Sequence, residues 1–247
     1  MTTCRIHSIE TLGGVDGPGV RCVIFFQGCP LRCLYCQNPD TQSNEGGRET
    51  SIADLMRTIE RTRPYFGSEG GVTLSGGEPL AQPAAVAEVL CACRSAGIHT
   101  AIDTSGACSS PAAHEAAALA DLLLLDIKHP DPALCKVLTG IGPESALTLL
   151  SAAQARRQAV WIRHVVVPGW SDTPSCIDKL ATLLAPFTCI QRIELLPYHR
   201  LAAEKYLALG QPQPLPDTPA ADPVAVRKLQ QQLNRAMRLI DFSAERP

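Results

Sequence analysis

The sequence predicts a single α/β domain built on a parallel sheet. The chain has 247 residues, of which 45% are hydrophobic, so it can bury a sizeable core. Short, nearly continuous apolar runs alternate with segments of helical periodicity, which is typical of parallel strands buried on both faces. The proline-rich stretch 211–223 is interpreted as an extended connection and not as a domain boundary. Right-handed crossovers then give either a βα barrel or an open doubly wound sheet.

The elements follow from the apolar pattern and its punctuation. Six strands are predicted at residues 20–26, 72–74, 98–102, 122–125, 160–167 and 193–196. Ser51, with Asp54 three residues later, predicts the start of one helix, and Pro83 and Pro174 predict the starts of two more. A C-terminal helix is predicted over about 223–240. The apolar faces of the four helices are formed by Ile52, Leu55, Met56 and Ile59, by Val86, Val89, Leu90 and Cys93, by Ile177, Leu180 and Leu184, and by Val226, Leu229, Leu233 and Met237.

Charge and cysteine content restrict the possible partners and the compartment. The net charge is −2 and the pI is about 6.3, which gives no electrostatic reason to expect a nucleic-acid or membrane-surface partner. The N-terminus lacks the apolar stretch of a signal peptide, and no uncharged apolar run approaches membrane-spanning length. Eleven cysteines, an odd number, argue against a disulfide framework. We therefore expect a cytoplasmic protein.

Three cysteines on one predicted loop, residues 27–38, are the strongest chemical signal. Cys29, Cys33 and Cys36 can hold one metal centre from one side, and no fourth ligand occurs at ligand spacing. A structural zinc site uses four protein ligands, and a cubane iron–sulfur cluster normally takes four thiolates, so three thiolates would leave one iron open. Cys33 and Cys36 alone could form a redox pair, and a zinc knuckle could borrow a distant His or Cys. The additional Cys29 and the signals downstream favour the cluster.

Polar residues follow each of the six predicted strands. These polar segments are 27–29, 75–79, 103–105, 126–128, 168–169 and 197–199. In barrels and open α/β sheets, ligands bind at the carboxyl ends of parallel strands. We call this edge the rim, and we expect it to carry the active site.

Single signals at the rim are open to more than one interpretation. Gly76 and Gly77 could form a plain tight turn, or could let a ligand approach the backbone closely. Asp126 and Lys128 flank one residue, so both side chains would point to the same face. They could form an ion pair, or could hold the ribose hydroxyls and the carboxylate of a nucleotide-linked amino acid.

Two further charged or titratable residues stand out. Arg163 lies in an apolar strand and needs either a buried partner or an anionic ligand. His199 could be a surface residue or part of the site. The glycine-rich segment 13–19 lacks the Lys-Ser/Thr ending of a phosphate-binding loop, and we reject that interpretation.

Taken together, these motifs resemble a known family. The Cys-x3-Cys-x2-Cys spacing with Tyr35 before the last cysteine, followed by Gly-Gly-Glu-Pro at 76–79, is the pattern of radical S-adenosylmethionine enzymes. The likeness is closer to the activating enzymes of pyruvate formate-lyase. It is carried by Asp-Gly-Pro-Gly-Val-Arg at 16–21, Phe-Phe-Gln-Gly-Cys at 25–29, Trp-Ile-Arg at 161–163, Val-Val-Val-Pro-Gly-Trp-Ser-Asp at 165–172 and Glu-Leu-Leu-Pro-Tyr-His at 194–199.

The resemblance implies a fold and an activity. The fold would be a partial (β/α)6 TIM-like barrel with parallel strands, in one radical S-adenosylmethionine activase domain covering 1–247. A [4Fe–4S] cluster on the three cysteines would reductively cleave S-adenosylmethionine and give a 5′-deoxyadenosyl radical. That radical would remove a hydrogen atom from a glycine of pyruvate formate-lyase (formate acetyltransferase), in anaerobic glucose metabolism. Flavodoxin or ferredoxin would supply the electron. The chain would thus be an oxidoreductase in which no residue need act as a general acid or base.

Site residues also carry over by position. The resemblance implies cofactor contacts at Tyr35, Cys36, Gln37, Gly76, Gly77, Glu78, Asp126, Ile127, Lys128 and His199. It implies a monovalent cation, Na⁺ or K⁺, at Asp103, Thr104 and the carbonyl of Leu125. Asp16 and Arg163 match positions that hold the glycine loop of the partner.

Two departures and one absence refine this expectation. Gln37 stands where a related activase has His, and Pro39 replaces a basic residue, both on the side that meets the partner loop. Only a short polar stretch, 40–49, separates the cysteine loop from the first predicted helix. The lack of an inserted ferredoxin-like segment there favours the formate-lyase type. The alternatives are an activase of another glycyl radical enzyme, such as a diol dehydratase, and a zinc-binding scaffold protein.

Overall fold

A computed structural model describes residues 2–237 as one α/β unit around an eight-stranded sheet. Its strands are β1 (Thr3–Gly13), β2 (Arg21–Phe26), β3 (Arg48–Ser51), β4 (Gly71–Gly76), β5 (Thr100–Thr104), β6 (Leu122–Asp126), β7 (Ala159–Val166) and β8 (Ile190–Pro197). The strand order is β3-β1-β2-β4-β5-β6-β7-β8, so β3 and β8 lie at opposite ends of an unclosed sheet. This arrangement is the expected partial barrel.

The sheet has a parallel part and an antiparallel part. The six predicted strands correspond to β2 and β4–β8, which pair in parallel and confirm the βα succession. The sequence analysis missed β1, which pairs antiparallel with β2, and β3, which pairs antiparallel with β1 at the edge of the sheet. β1 is largely exposed, with only Cys4, Ile6 and Gly13 buried along eleven residues, so it has no apolar run to reveal it. β3 begins inside the polar stretch 40–49.

Eight α-helices cover the sheet within the described residues. They are α1 (Ile52–Thr62), α2 (Pro83–Ser95), α3 (Pro111–Ala117), α4 (Pro132–Thr139), α5 (Glu144–Ala155), α6 (Pro174–Leu184), α7 (Ala203–Ala208) and α8 (Pro223–Met237). The four predicted helices correspond to α1, α2, α6 and α8. Residues 238–240, the end of the predicted C-terminal helix, lie outside the described part of the chain.

The predicted start of α1 shows how local sequence determines the packing. The hydroxyl of Ser51 accepts a hydrogen bond from the backbone N–H of Asp54, as a helix N-cap does. The cap fixes where the helix begins, and the spacing of Ile52, Leu55 and Ile59 then places all three on the face that is buried in the core. Burial of each such side chain contributes roughly 1.5–3 kcal/mol. The same apolar layer continues under the other helices, and a separate small cluster of Ala101, Leu122 and Leu124 lies on the other face of the parallel strands.

Parallel pairing brings the carboxyl ends of β2 and β4–β8 to a single edge of the sheet. The six polar segments that follow those strands therefore meet at one rim, as the sequence predicted. Among the described residues, no single helix has the length and apolarity needed to cross a membrane, although α4 and α5, which meet at 111°, pass that test when counted together.

Candidate functional site

A cavity of about 280 Å³ opens at the rim of the sheet. It is lined by most of the residues that the sequence singled out, namely Cys29, Cys33, Tyr35, Cys36, Gln37, Gly76, Gly77, Asp103, Thr104, Asp126, Lys128, Arg163 and His199. Four predicted residues do not line it, namely Asp16, Glu78, Leu125 and Ile127. The strand-end rule thus located the cavity, but not the direction of every side chain.

The loop 27–38, which we call the cluster loop, is fixed by backbone hydrogen bonds on both sides. Gly28 has φ +96°, a conformation that favours glycine, and its N–H donates to the carbonyl of Thr41 at 2.8 Å. On the other side, the N–H groups of Arg32 and Leu34 donate to carbonyls at the end of α4, both at 2.8 Å. The loop is therefore held in place independently of any side-chain ligand.

Three thiols of the cluster loop lie on the wall of the cavity. Burial raises the pKa of Cys29 to about 12 and that of Cys33 to about 11, so without a metal these thiols stay protonated at neutral pH. A bound cation reverses this preference because metal binding releases thiol protons. In the described part of the chain, no three His, Cys, Asp or Glu side chains are grouped to hold a single metal ion.

The donor set fits an iron–sulfur cluster with a bound cofactor. Three sulfur donors from one loop share the cavity with two buried polar atoms, Tyr35 Oη and Gln37 Oε1, that have no hydrogen-bond partner among residues 2–237. Buried polar atoms normally have a partner, so these two atoms indicate a ligand in the cavity.

The Gly76–Gly77 segment rests directly on the cluster loop. Gly76 has φ +110°, and a Cβ there would lie 2.4 Å from the backbone nitrogen of Phe26. A Cβ on Gly77 would lie 2.3 Å from the carbonyl oxygen of Gly28. Both glycines are therefore required by the close approach of two backbones, and the same openness exposes their backbone groups to the cavity.

Glu78 does not face the cavity, although its motif borders it. Its buried carboxylate accepts hydrogen bonds from the hydroxyl of Thr104 at 2.7 Å and from the backbone N–H of Ser105 at 2.9 Å. Burial raises the pKa of Glu78, while these hydrogen bonds oppose the shift. The side chain therefore joins the loops after β4 and β5, and only the backbone of Glu78 remains available for a ligand.

Arg163 has the buried partner that the sequence required. Its Nη1 lies 3.1 Å from Asp103 Oδ2 and 3.8 Å from Asp16 Oδ1. The attraction of Asp103 raises the pKa of Arg163 despite burial. Burial, followed by the negative charge of Asp103, raises the pKa of Asp16 to about 6. Asp16 does not line the cavity itself, but its carboxylate contacts Arg163, which does.

This charged group is incompletely satisfied. Ser75 donates a hydrogen bond from its hydroxyl to Asp103 Oδ2 at 2.7 Å, so that oxygen has two partners. Asp103 Oδ1 and Arg163 Nε are buried and have no hydrogen-bond partner within residues 2–237. An unpaired carboxylate oxygen and an unpaired guanidinium nitrogen beside a cavity are suited to bind a cation or a polar ligand.

Asp126 and Lys128 point to the same face, as their spacing predicted. Lys128 Nζ lies 2.6 Å from Asp126 Oδ2, and each side chain is less than one fifth exposed. Burial opposes the charge of Lys128, but the attraction of Asp126 outweighs it and raises the pKa of the lysine. Ile127 between them is buried in the opposite direction, and its carbonyl accepts a hydrogen bond from His164 Nδ1 at 2.7 Å.

The remaining wall comes from the end of β8 and the residues that follow it, and α7 packs outside the cavity against the end of the cluster loop. Gln37 Nε2 donates to the carbonyl of His199 at 2.9 Å. Lys205, on α7, donates to Asn38 Oδ1 at 2.9 Å and forms an ion pair with Asp40 at 3.2 Å. The sequence analysis missed these contacts, because α7 is too short to show helical periodicity.

Several other residues that line the cavity were also missed as site residues. They are Leu31, Asn38, Thr41, Ser75, Ser105, Val165, Leu196, Pro197 and Tyr198. A signal for most of them was present, because each lies next to a predicted site residue or at the carboxyl end of a predicted strand.

Comparison with known proteins gives a family and close relatives. The model of the Radical SAM superfamily matches residues 23–180. The pyruvate formate-lyase-activating enzyme of Clostridium pasteurianum is 44% identical over 238 residues, which cover 96% of this chain and 100% of that protein. The pyruvate formate-lyase 1-activating enzyme of Escherichia coli K12 is 41% identical over 210 residues, which cover 84% of this chain and 85% of that protein.

Solved structures support the fold. A domain of pyruvate-formate lyase-activating enzyme from Bacteroides vulgatus superposes with a TM-score of 0.55 at 24% identity, covering 68% of this chain and 94% of that chain. A radical SAM methyltransferase from Sphaerobacter thermophilus superposes with a TM-score of 0.64 at 15% identity, covering 87% of this chain and 64% of that chain. At these identities the likeness concerns the fold alone.

Proposed function

This chain belongs to the radical SAM superfamily, and from that premise we propose that it is the activating enzyme of a pyruvate formate-lyase. The observation that carries this proposal is the 44% identity to such an activating enzyme over nearly the full length of both chains. The cavity supports the same proposal, because the three cysteines of the family pattern lie in its wall. When bound, a reduced [4Fe–4S] cluster supplies the electron that cleaves S-adenosylmethionine, so that a hydrogen atom can be removed from a glycine of the partner.

We propose that Cys29, Cys33 and Cys36 hold the cluster. Their sulfurs come from one loop whose backbone is already fixed by Thr41 and by the end of α4. A preformed loop lowers the entropy that must be lost when the metal is loaded. The protein therefore contributes position and exclusion of water, and the cofactors contribute the electron transfer.

S-adenosylmethionine would occupy the rest of the cavity. Tyr35, Gln37 and His199 would border it on the side of the cluster loop, and Gln37 Oε1 is free to accept a hydrogen bond. The exposed backbone of the 76–78 segment would contact its amino end. Asp126 and Lys128 would hold its ribose hydroxyls and its carboxylate, with Ile127 fixing the spacing between them.

Asp16 and Arg163 would hold the glycine loop of the partner. The turn that contains Asp16 is fixed from below, because the hydroxyl of Thr73 donates to the carbonyl of Asp16 at 2.6 Å. Arg163 is mostly buried, but its Nε has no partner among the described residues. These atoms would make hydrogen bonds to the backbone of the incoming loop.

A monovalent cation, Na⁺ or K⁺, would bind beside this pair. The unpaired Oδ1 of Asp103 supports such a site, together with the hydroxyl oxygen of Thr104 and the carbonyl of Leu125. Thr104 directs its hydroxyl proton to Glu78, and its oxygen, which already accepts a hydrogen bond from the N–H of Gly106 at 2.9 Å, keeps one lone pair for a cation. Oxygen ligands of this kind suit hard cations.

The proposal also covers the extent of the domain, its electron donor and its compartment. Residues 1–247 would form one activase domain, which receives its electron from flavodoxin or ferredoxin in the cytoplasm. All eleven cysteines lie within the described residues, and none of them forms a disulfide. Gln37 lines the cavity and would bear on recognition of the partner, whereas Pro39 is buried just after the cluster loop and could act only through the backbone that it fixes.

Anaerobic reconstitution with iron and sulfide tests the proposal. We expect a brown protein with about four irons per chain, whose electron paramagnetic resonance (EPR) spectrum changes when S-adenosylmethionine is added. Mixing the reduced enzyme with pyruvate formate-lyase should give 5′-deoxyadenosine and a glycyl radical doublet. If the doublet appears only with another glycyl radical enzyme, that enzyme and not pyruvate formate-lyase is the partner. A colourless protein that binds one zinc ion would contradict the assignment.

A further inference from the structure

One charged side chain of the cluster loop has no role in the proposed function. Arg32 lies between Cys29 and Cys33 in the chain, and its Nη1 donates to the carbonyl of Cys29 at 2.7 Å and to that of Leu31 at 2.8 Å. Holding an exposed arginine in one place costs side-chain entropy. The two hydrogen bonds offset that cost and keep the guanidinium next to the segment that carries the cysteines.

The hydrogen bond to Cys29 limits the distance from the guanidinium to a metal-binding sulfur. Covalent geometry places the carbonyl oxygen and the Sγ of one cysteine at most about 5 Å apart. Nη1 of Arg32 therefore lies within about 8 Å of the Sγ of Cys29. Cys29 also lines both the cofactor cavity and a second groove of about 640 Å³, and Arg32 lines that groove.

Arg32 differs from the cations of the cofactor cavity in having no carboxylate partner. Lys128 and Arg163 line the cavity, and each forms an ion pair with an aspartate. Asp40 and Glu45 line the same groove as Arg32, but among residues 2–237 neither carboxylate lies within ion-pair distance of its guanidinium. The charge of Arg32 is therefore available to an anion held by the cysteines.

The backbone next to the cluster loop has the opposite polarity. The N–H of Arg32 donates to the carbonyl of Thr139, and the N–H of Leu34 donates to that of Leu138, so the C-terminal end of α4 faces the loop. The C-terminal end of a helix carries a partial negative charge. Negative charge on the cysteines is therefore disfavoured by α4, and Arg32 opposes that effect.

From this arrangement we propose that the positive charge of Arg32 makes the loaded iron–sulfur cluster easier to reduce. The inference rests on the proposed function, because it requires a cluster on the three cysteines. A cluster bound by three thiolates is already an anion, and reduction adds a further negative charge. A cation fixed nearby stabilises the more negative state. Arg32 touches neither the cofactor nor the partner and acts only through the potential of the cluster.

Coulomb's law sets the size of the effect. At a separation of about 8 Å, two unit charges change an equilibrium about twofold in bulk water and about thirtyfold at the effective dielectric constant of a protein surface. Because Arg32 is exposed, solvent screens its charge, and we expect a change of about fivefold. Salt should weaken the effect further, since it screens exposed charges.

The test removes the charge and varies the salt. The full chain carrying Arg32→Gln is reconstituted anaerobically and titrated potentiometrically, with the reduced cluster followed by EPR. In low salt, at the midpoint potential of the wild type, the variant should show an about fivefold lower ratio of reduced to oxidised cluster. In about 0.5 M salt the difference should shrink to about twofold. Arg61→Gln, at an exposed arginine in the last turn of α1, is the matched control and should leave the ratio unchanged.

A second variant separates the charge from the hydrogen bonds. Arg32→Lys keeps the charge without the paired donors, so its ratio should stay within about twofold of the wild type. It also gives the answer if Arg32→Gln retains too little iron, because a fivefold fall in Arg32→Lys would show that the bonds to the loop matter and would overturn the inference. A wild-type ratio in Arg32→Gln, or a difference that salt does not change, would overturn it as well. Failure of the wild type to bind iron would instead refute the proposed function.

Discussion

Two buried arginines, one near the rim and one at the opposite edge of the sheet, have guanidinium groups that are stabilised in opposite ways. Arg21 begins β2 at the edge opposite to the rim and is completely buried. Its guanidinium donates to the hydroxyl of Thr73 at 2.6 Å and to the carbonyls of Val72 and Pro18 at 2.5 and 3.1 Å. These acceptors are uncharged, and burial lowers the pKa of Arg21 to about 10.

Arg163, near the rim, is held by charge instead. Its ion pairs with Asp103 and Asp16 raise its pKa, and its Nε has no partner within residues 2–237. The N–H groups of Arg21 are taken up by two backbone carbonyls and the hydroxyl of Thr73, which leaves little room for a ligand. The set around Arg163 keeps spare atoms beside a cavity. The comparison indicates that Arg21 maintains the fold, whereas Arg163 is available for binding.

The two regions are also connected. Thr73 accepts from Arg21 and donates to the carbonyl of Asp16, so the buried arginine supports the turn that carries Asp16. Contacts at the edge of the sheet opposite to the rim therefore help to position Asp16, whose carboxylate contacts Arg163. A substitution of Arg21 should therefore lower stability and also disturb the turn of Asp16, whereas a substitution of Arg163 acts directly on the site.

The largest expected difference concerns cysteines. Cys33→Ala should abolish cluster binding and 5′-deoxyadenosine formation, because two thiolates cannot retain the cluster. Cys93→Ala, at a fully buried cysteine of α2 away from the rim, should keep both at a loss of about 1 kcal/mol in stability. Iron analysis and product chromatography measure the outcome. Wild-type cleavage rates in Cys33→Ala would contradict the assignment of the three cysteines.

The next comparison exchanges each arginine for methionine. Arg21→Met should lower the free energy of unfolding by about 3 kcal/mol, because it leaves the buried carbonyl of Val72, the buried hydroxyl of Thr73 and the half-buried carbonyl of Pro18 without their donor. Arg163→Met should lower it by about half as much, since water entering the cavity can solvate Asp103 and Asp16. Urea unfolding of both variants measures the difference. Equal losses would mean that both arginines serve the fold alike.

A smaller effect is expected from Asp16→Asn. This change keeps the size of the side chain but removes its charge next to Arg163. We expect an about tenfold slower appearance of the glycyl radical on the partner, corresponding to about 1.4 kcal/mol, with nearly unchanged binding of S-adenosylmethionine. EPR and equilibrium binding measure the two quantities. Equal losses in both would remove Asp16 from the partner site.

An effect on stability alone concerns His164, which follows Arg163 on β7 but points to the other face. Burial lowers the pKa of His164 to about 4, below the value of about 6.5 in an unfolded chain. Between these values the unfolded state binds the proton, so stability is complete above pH 6.5 and falls as the pH decreases towards 4. Relative to His164→Gln, the wild type should lose about 1 kcal/mol per pH unit in this window. Urea unfolding at pH 7, 6 and 5 checks the slope, and parallel curves would refute it.

Much of the parallel part of the fold could be predicted, because strands that are buried on both faces consist of nearly continuous apolar residues. The rim followed from the same rule, since polar residues directly after such runs must meet at one edge. β1 could not be found in this way because it is mostly exposed. The short helices α3 and α7 were missed because they contain two turns or fewer, which is too little for a periodic signal.

Side-chain direction at the rim was the second thing that sequence could not supply. Glu78 belongs to the motif, yet it caps the short 3₁₀ helix Pro79–Ala81 and turns into the protein. Arg163 required a buried partner, but nothing in the sequence identified Asp103, which is 60 residues away along the chain. Such pairings depend on the register between distant strands, and local patterns carry no information about that register.

The contact between the Gly76–Gly77 turn and the cluster loop couples two parts of the site. The N–H of Gly77 donates to the carbonyl of Phe26 at 2.9 Å, and the N–H of Glu78 donates to that of Gly28 at 2.8 Å. Any displacement of one loop is therefore transmitted to the other. A side chain added at Gly77 would meet the backbone of Gly28, so it would disturb the segment that carries the cysteines together with the turn expected to contact S-adenosylmethionine.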